Sequence, residues 1–476
     1  MSAVIGRKHE QVLLENILQS GEPELVVVYG RRRVGKTFLV KNVYAKQLAF
    51  DFSCIHNATL AQQFENFTAA LSRASGNNLA MPKSWIEGFY MLIAYLEPLI
   101  KRQRRVIFID EFPWGHTPKS GFLQAFENFW NTWASAKKNL VVVICGSAAA
   151  WMIQRIINSK GGLYNRVTQK IRLLPFTVDE TEVYLQSRKI NLDRLQILQL
   201  YMVMGGIPHY LRNVAVGESA AQAINKICFT KDGVLANEFK SLFQSLFNNA
   251  DEHIAVVKAL SKKGAGLSRN EIIKECKMSS GGGTTQLLDE LTESGFITPY
   301  IPFSKTAKDT IYWLTDEYSH FYLKFIENGK FKGETAWEKY STGASWRAWS
   351  GTAFEGICMK HVHSVKKALG IEGVHTETST WRYKPNNGEQ GTQIDLLIDR
   401  QDGNINICEM KFSIEEFAIT KSYAEELKSK LSVFRNATRT KKTLFLTMLT
   451  TYGVTTNIYK TGLVQKDLTM DILFNS

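Results

Sequence analysis

Along residues 1–175, short apolar runs alternate with longer stretches whose apolar positions recur every three or four residues. The runs Leu25–Tyr29, Ala49–Cys54, Arg105–Asp110, Leu140–Cys145 and Gln169–Leu174 have strand length. Between them Leu60–Ala74, Trp85–Lys101 and Gly121–Ala136 carry helical spacing. Such alternation predicts an α/β fold, a parallel sheet with helices on both faces. The aromatic positions Phe126, Phe129, Trp130 and Trp133 repeat at helical spacing and read as core. From Pro175 to about Gln244 the pattern is helical only (Thr177–Arg188, Leu192–Val203, Ala220–Cys228, Asp232–Phe243), which makes 176–248 a helical lid on the 1–175 core.

A helix is predicted over Asp251–Lys262. Ser268 and Glu271 form a capping box that opens a second, running to about Lys277. Gly281-Gly282-Gly283 leads into a third, Thr284–Ser294, and Phe296–Ile301 with Thr310–Leu314 form a two-stranded ribbon. Three short helices and a hairpin make 249–330 a winged helix-turn-helix. Thr284, Thr285 and Gln286 open its recognition-helix candidate and suit base edges, yet Asp289, Glu290 and Glu293 would face phosphates badly. Gly329–Ser345 is polar and aperiodic, so 331–345 reads as a linker, after which 346–476 restarts with a helix over Arg347–Leu369. His361 and His363 sit two apart on that helix, where side chains diverge, and make a poor metal pair.

The strand Leu25–Tyr29 runs into Gly30-Arg31-Arg32-Arg33-Val34-Gly35-Lys36-Thr37, which fits G-x-x-x-x-G-K-[ST]. Glycines there let backbone N–H groups wrap phosphates at the start of the helix that begins near Phe38. Gly30, Arg33, Val34, Gly35 and Phe38 are therefore candidate nucleotide contacts; Lys36 would reach the terminal phosphates and the Thr37 hydroxyl would hold Mg²⁺. Val106-Ile107-Phe108-Ile109-Asp110-Glu111 is an apolar strand ending in two acids, with Asp110 placed to bind Mg²⁺ and Glu111 to polarise the attacking water. A further strand ends in Cys145-Gly146-Ser147, where the Ser147 hydroxyl would lie beside the γ-phosphate, although a small residue at a strand end is also ordinary turn chemistry.

Together with Ile5-Gly6-Arg7, Leu163-Tyr164-Asn165-Arg166, Leu174-Pro175-Phe176 and Gly205-Gly206-Ile207-Pro208, this set resembles the prokaryotic AAA+/STAND-like ATPases of the archaeal-ATPase type. The resemblance implies a P-loop (ASCE/AAA+-like) parallel sheet, ATP hydrolysis, an adenine flanked by Gly6, Arg7 and Pro208, and an arginine-finger or sensor role for Arg166. Relatives often carry glycine where Asn165 stands, so this chain departs from the pattern beside Arg166.

The last 130 or so residues carry different chemistry. Gln393-Ile394-Asp395-Leu396-Leu397-Ile398 and Ile407-Cys408-Glu409-Met410-Lys411-Phe412 flank Asp402-Gly403, a hairpin turn signal. A turn centred there sets Asp395 opposite Glu409. Strict alternation puts Gln393, Asp395, Glu409 and Lys411 on one face, and Ile394, Leu396, Ile398, Cys408, Met410 and Phe412 on the other, core face. Two carboxylates and a lysine are what metal-assisted phosphodiester hydrolysis requires: Asp395 and Glu409 for Mg²⁺, with the Met410 carbonyl beside them, and Lys411 for water and developing charge. The arrangement resembles the PD-(D/E)xK restriction-endonuclease-like fold, with Glu355 matching its accessory acid and Ile394 standing where proline is usual. A solvated Asp/Glu/Lys face on a plain hairpin would carry the same residues.

Composition changes this picture little. The chain has 476 residues and a formal net charge of +13, which suits a polyanion; part of that charge lies in the phosphate loop itself. Six scattered cysteines without a CxxC pair argue against a disulfide framework or zinc site. No run approaches the length of a membrane span and the N-terminus lacks a signal-peptide core, so a cytoplasmic protein is expected. The expected function is an ATP- and Mg²⁺-dependent ATPase coupled through a winged helix to a nuclease-like domain acting on DNA. The alternative is a nucleotide-dependent switch, or a regulator binding DNA or a protein partner, whose nuclease-like domain does not cut. An arginine finger acting in trans would further require a homo-oligomer.

Overall fold

In the computed structural model, residues 3–117, 119–247, 249–331, 333–383 and 391–475 are described. The chain forms two compact units: residues 1–175 with 244–248 and 289–295, and the remainder. The break at 175 falls where the strand–helix alternation stops.

Five parallel strands build the first unit: β1 (Glu24–Tyr29), β2 (Leu48–Ser53), β3 (Arg105–Asp110), β4 (Leu140–Gly146) and β5 (Gln169–Arg172). Their order is β2-β3-β4-β1-β5, and every pairing is parallel. All seven residues of β4 are buried, as continuous apolar runs in a doubly covered parallel sheet should be. Phe126, Phe129 and Trp130 pack with Phe52, Trp85 and Leu92 in the core on one side of the sheet, and Trp133 lies against them. β1 and β3 both neighbour β4, and such sheets bind ligands outside the carboxyl ends of their strands.

In the second unit, strands β6 (Leu267–Ser268), β7 (Ile297–Tyr300) and β8 (Ile311–Leu314) form an antiparallel ribbon in the order β6-β8-β7. The Ser268–Glu271 capping box is formed at the start of helix Arg269–Cys276. A second sheet is mixed: β9 (Thr376–Tyr383), β10 (Thr392–Arg400), β11 (Asn404–Lys411), β12 (Thr443–Thr450) and β13 (Lys466–Thr469), ordered β13-β12-β11-β10-β9. Helix Ala344–Lys360 precedes it and helix Lys421–Thr438 links β11 to β12. No helix among the described residues is long and apolar enough to cross a membrane.

Four expectations are corrected. The stretch read as a linker carries helix Ala336–Ser341 with Trp337 buried. Trp337 lies 5.0 Å from the ring of Trp346, 5.4 Å from Phe321 and 5.8 Å from Phe229. Second, the helix expected over 232–243 begins at Glu238. The Leu235 N–H donates to Ile227 and Gly233 N–H to Thr230, turns that close off helix Ala220–Cys228. Third, the helix from 347 breaks at His361, whose Nδ1 bonds the Ile357 carbonyl at 2.8 Å while its Nε2 accepts from the Val178 N–H at 3.3 Å. Fourth, Ile394 shares a core with Leu397, Ile405 and Ile407 beneath helix Lys421–Thr438, not with Leu396 and Ile398. An irregularity in the β9–β10 pairing between Ile394 and Leu397 breaks the alternation.

Candidate functional site

Every residue of the phosphate loop is placed at the carboxyl end of β1 and the first turn of helix Lys36–Val43. Gly30 has φ 145°, and a Cβ there would stand 2.2 Å from the Leu173 carbonyl oxygen. Arg33 and Gly35 are left-handed as well, with φ 70° and 94°, and the space beside Gly35 is open. Val34 is buried beneath the loop and Phe38 is exposed on its helix. Lys36 is only 6% exposed; its ammonium donates to the carbonyls of Gly30 (2.8 Å) and Arg31 (2.9 Å). An ammonium is rarely buried so deeply without a task, and its third donor remains available for phosphate oxygens. The Thr37 hydroxyl donates to Asp110 Oδ2 at 2.6 Å. A hydroxyl and a carboxylate from the helix start and the β3 end give the hard oxygen set that Mg²⁺ favours.

Residues 5–214 match a family model described as an ATPase domain predominantly from Archaea. This segment is similar to archaeal-type P-loop ATPase domains. Over the whole chain, an uncharacterized protein, MJECL04, of Methanocaldococcus jannaschii is 22% identical across 416 residues, 86% of this chain and 87% of that one. Among solved structures, the Walker-type ATPase PABY2304 of Pyrococcus abyssi aligns with TM-score 0.50 and 16% identity, covering 68% of this chain and 96% of that one. The ORC2 protein of Aeropyrum pernix aligns with TM-score 0.40 and 15% identity, over 71% and 95% of the two chains.

Within the ATPase domain, Glu111 follows β3 in a left-handed conformation, φ 47°. That turn aims its carboxylate at the end of the adjacent β4, where the Ser147 hydroxyl and N–H donate to Oε2 at 2.8 and 3.1 Å. Ser147 itself is 1% exposed. No described residue donates to Oε1 of Glu111, which leaves that oxygen for a water. Gly6 and Arg7 are consecutive left-handed residues ahead of helix Lys8–Gln19, and the buried Arg7 guanidinium donates to the Val34 carbonyl at 3.4 Å. Arg166 is exposed in its loop. Asn165 before it has φ 53°, so the departure from glycine is tolerated because asparagine accepts that conformation. Pro208 lies in the second unit, where it opens helix Pro208–Leu211. Just before it a Cβ on Gly206 would meet the Phe176 carbonyl oxygen at 2.2 Å, so Gly206 packs directly on the Phe176 backbone.

The second candidate site lies on β10 and β11. Asp399 pairs with Ile405 and Leu396 with Cys408, so the hairpin is centred on Asp402, and Asp395 and Glu409 are the next residues along the two strands. Gln393 donates to Asp395. Glu409, 4% exposed, accepts from the Tyr423 hydroxyl at 3.2 Å and is ion-paired with Lys430, both on helix Lys421–Thr438. The Lys411 ammonium lies 5.3 Å from the centre of the Tyr423 ring. Burial pushes the Glu355 carboxyl up to about 8, helped by the charges of Asp395 and Glu409 and opposed by Lys411 and Lys430. These five charged groups are thus neighbours. Yet among the described residues no three His, Cys, Asp or Glu side chains converge to hold a metal ion. Lys430 and Tyr423 take both oxygens of Glu409. Lys430 and Tyr423 are the residues that sequence reasoning missed. Their spacing of seven, two turns on one helix face, was the available signal.

The recognition-helix candidate also changes. Helix Gly282–Glu293 begins two residues earlier than expected, and Thr284 is buried with its hydroxyl on the Ser279 carbonyl at 2.7 Å. Thr285 and Gln286 remain exposed.

Proposed function

We propose that this ATPase couples its nucleotide state to a nuclease-like C-terminal domain acting on DNA, with residues 249–330 as a winged helix. The protein belongs in the cytoplasm on this reading. Lys36 and the backbone N–H groups of the phosphate loop would bind the phosphates of ATP, and Gly6, Arg7 and Pro208 would flank the base. Thr37 and Asp110 would hold Mg²⁺, which offsets charge developing on the phosphoryl oxygens. Glu111, oriented by Ser147 through Oε2, would accept a proton from the attacking water through Oε1. Arg166, exposed in its loop, is available to the site of a neighbouring copy.

The observation that carries the C-terminal part is the grouping of Glu355, on helix Ala344–Lys360, with Asp395, Glu409 and Lys411 on the mixed sheet, in the helix–strand–strand–strand–helix–strand order. Lys411 would stabilise charge at a scissile phosphate. Mg²⁺-dependent cleavage of plasmid DNA tests this, and Lys411→Ala should lower it at least about a hundredfold. Cleavage that survives the substitution overturns the assignment.

A specific observation favours the second reading, a nucleotide-dependent switch that binds DNA or a protein partner without cutting. Glu409 is already satisfied by Lys430 and Tyr423. No cleavage by wild type under any nucleotide, with Lys36→Ala alone abolishing ATP hydrolysis, would establish that reading instead.

A further inference from the structure

The last residues of helix Gly282–Glu293 belong to the ATPase unit, since 289–295 pack with residues 1–175. Arg172 is one of the side chains that reach them. Arg172, the final residue of edge strand β5, donates through Nη2 to the carbonyls of Thr292 (2.8 Å) and Glu293 (3.0 Å), and lies 3.6 Å from the Glu293 carboxylate. Carbonyls at a helix C-terminus have no partner within the helix and carry the negative end of its dipole, so a guanidinium fork is well matched to them.

What lies on the other side of Arg172 gives the contact its meaning. Arg172 is the register partner of Tyr29, the residue before the phosphate loop. The next residue, Leu173, donates its N–H to the Tyr29 carbonyl at 2.7 Å. Its own carbonyl lies where a Cβ of Gly30 would be, so β5 and the first loop residue are in direct backbone contact. Gly30 in turn gives its carbonyl to the Lys36 ammonium. The helix end, Arg172, Leu173, Gly30 and Lys36 are therefore one contiguous chain of contacts. The Tyr29 hydroxyl, held up by burial and by the charge of Glu293, lies in the same cluster.

The geometry points to Arg172 as a positioning residue for nucleotide binding: it ties the phosphate loop to the end of helix Gly282–Glu293, so that each responds to the other. This also accounts for the acidic end of that helix, which fits a phosphate backbone badly and an arginine well. Coupling of this kind is reciprocal, so nucleotide must alter the helix end by as much as the helix end alters nucleotide affinity.

Hydrogen exchange at 289–295, with and without a non-hydrolysable ATP analogue and Mg²⁺, tests the link in the full chain, alongside titration with a fluorescent ATP analogue. Wild type should exchange more slowly at 289–295 when nucleotide is bound. In Arg172→Leu that difference should vanish and Kd should rise on the order of tenfold. Arg172→Lys, with one ammonium in place of a fork, should restore part of both. A folded Arg172→Leu that keeps wild-type affinity, or keeps the exchange difference, overturns the inference. If the leucine variant does not fold, the wild-type measurement decides: exchange at 289–295 that is indifferent to nucleotide overturns it. Lys36→Ala, which should bind no nucleotide, is the control that separates lost binding from lost coupling.

Discussion

Replacing Ser147 by alanine removes one of the two donors that hold Glu111. The hydroxyl bond is 2.8 Å and the N–H bond 3.1 Å, both to Oε2, in a place where Ser147 is almost fully buried. A hydrogen bond to a charged group contributes about 1.5–3 kcal/mol. The N–H bond survives the substitution, so the carboxylate keeps one anchor and loses its fixed rotation about it. If that orientation is needed only while water attacks, the loss falls on kcat: about 1.4 kcal/mol or more, a decrease of about tenfold. Affinity for ATP should stay within about twofold, because the Ser147 hydroxyl donates to Glu111 and not to the phosphate loop. Steady-state phosphate release gives kcat and a fluorescent-analogue titration gives Kd. Glu111→Gln sets the floor, at about a hundredfold or more below wild type. Unchanged kcat in Ser147→Ala, or a faster rate, would refute the reasoning. A faster rate would mean that Ser147 restrains Glu111 instead of aiming it.

Two further outcomes are expected. The buried neutral ring of His361, held down to about 4 by desolvation, binds its proton later in the folded chain than in the unfolded one. Its contribution is present above about pH 6.5 and is lost as pH falls towards 4, by up to about 3 kcal/mol; His320, also near 4, adds a parallel loss. Thermal unfolding followed from pH 7 to pH 5 should decline less steeply in His361→Gln, and identical slopes would remove the assignment. Trp337→Ala should cost about 3–5 kcal/mol in denaturant unfolding, as for a core tryptophan, whereas a change under about 0.5 kcal/mol would return 331–345 to the status of a linker.

Much of this was legible in the residues. Strands β1 to β5 lie within two residues of their expected ends; β1, β3 and β4 are nearly continuous apolar runs buried along their length, while β2 and β5, the two edge strands, keep polar residues and are only partly buried. The β10–β11 register followed from the turn signal at Asp402-Gly403, since the short loop Gln401–Gly403 centred on Asp402 leaves little freedom in pairing. What escaped depends on distant neighbours. Trp337 and Tyr340 stand among polar residues and show no period; distant rings, among them Phe229, Phe321, Phe325 and Trp346, make them core. Helix propensity carried the reading through His361, which stops the helix for a partner at Val178. Glu111 and Ser147 meet because β3 lies beside β4, a fact of strand order and not of local sequence.

The C-terminal cluster shows where pattern and arrangement part. Alternation placed Asp395 and Glu409 together and took their joint charge as the attraction for a metal ion. The helix behind them supplies Lys430, so the formal charges of Asp395 and Glu409 are matched by Lys411 and Lys430. Glu355, held up to about 8, is mainly neutral at neutral pH. A cluster balanced in this way draws a cation less strongly than two bare carboxylates would. The ammonium of Lys430 and a metal ion would compete for the same oxygen of Glu409. An active nuclease therefore needs helix Lys421–Thr438, or at least its lysine, to yield that oxygen; a switch that never cuts needs no such movement. The plasmid assay reads both conditions together, which is why Lys411 and Lys430 are not interchangeable in its interpretation.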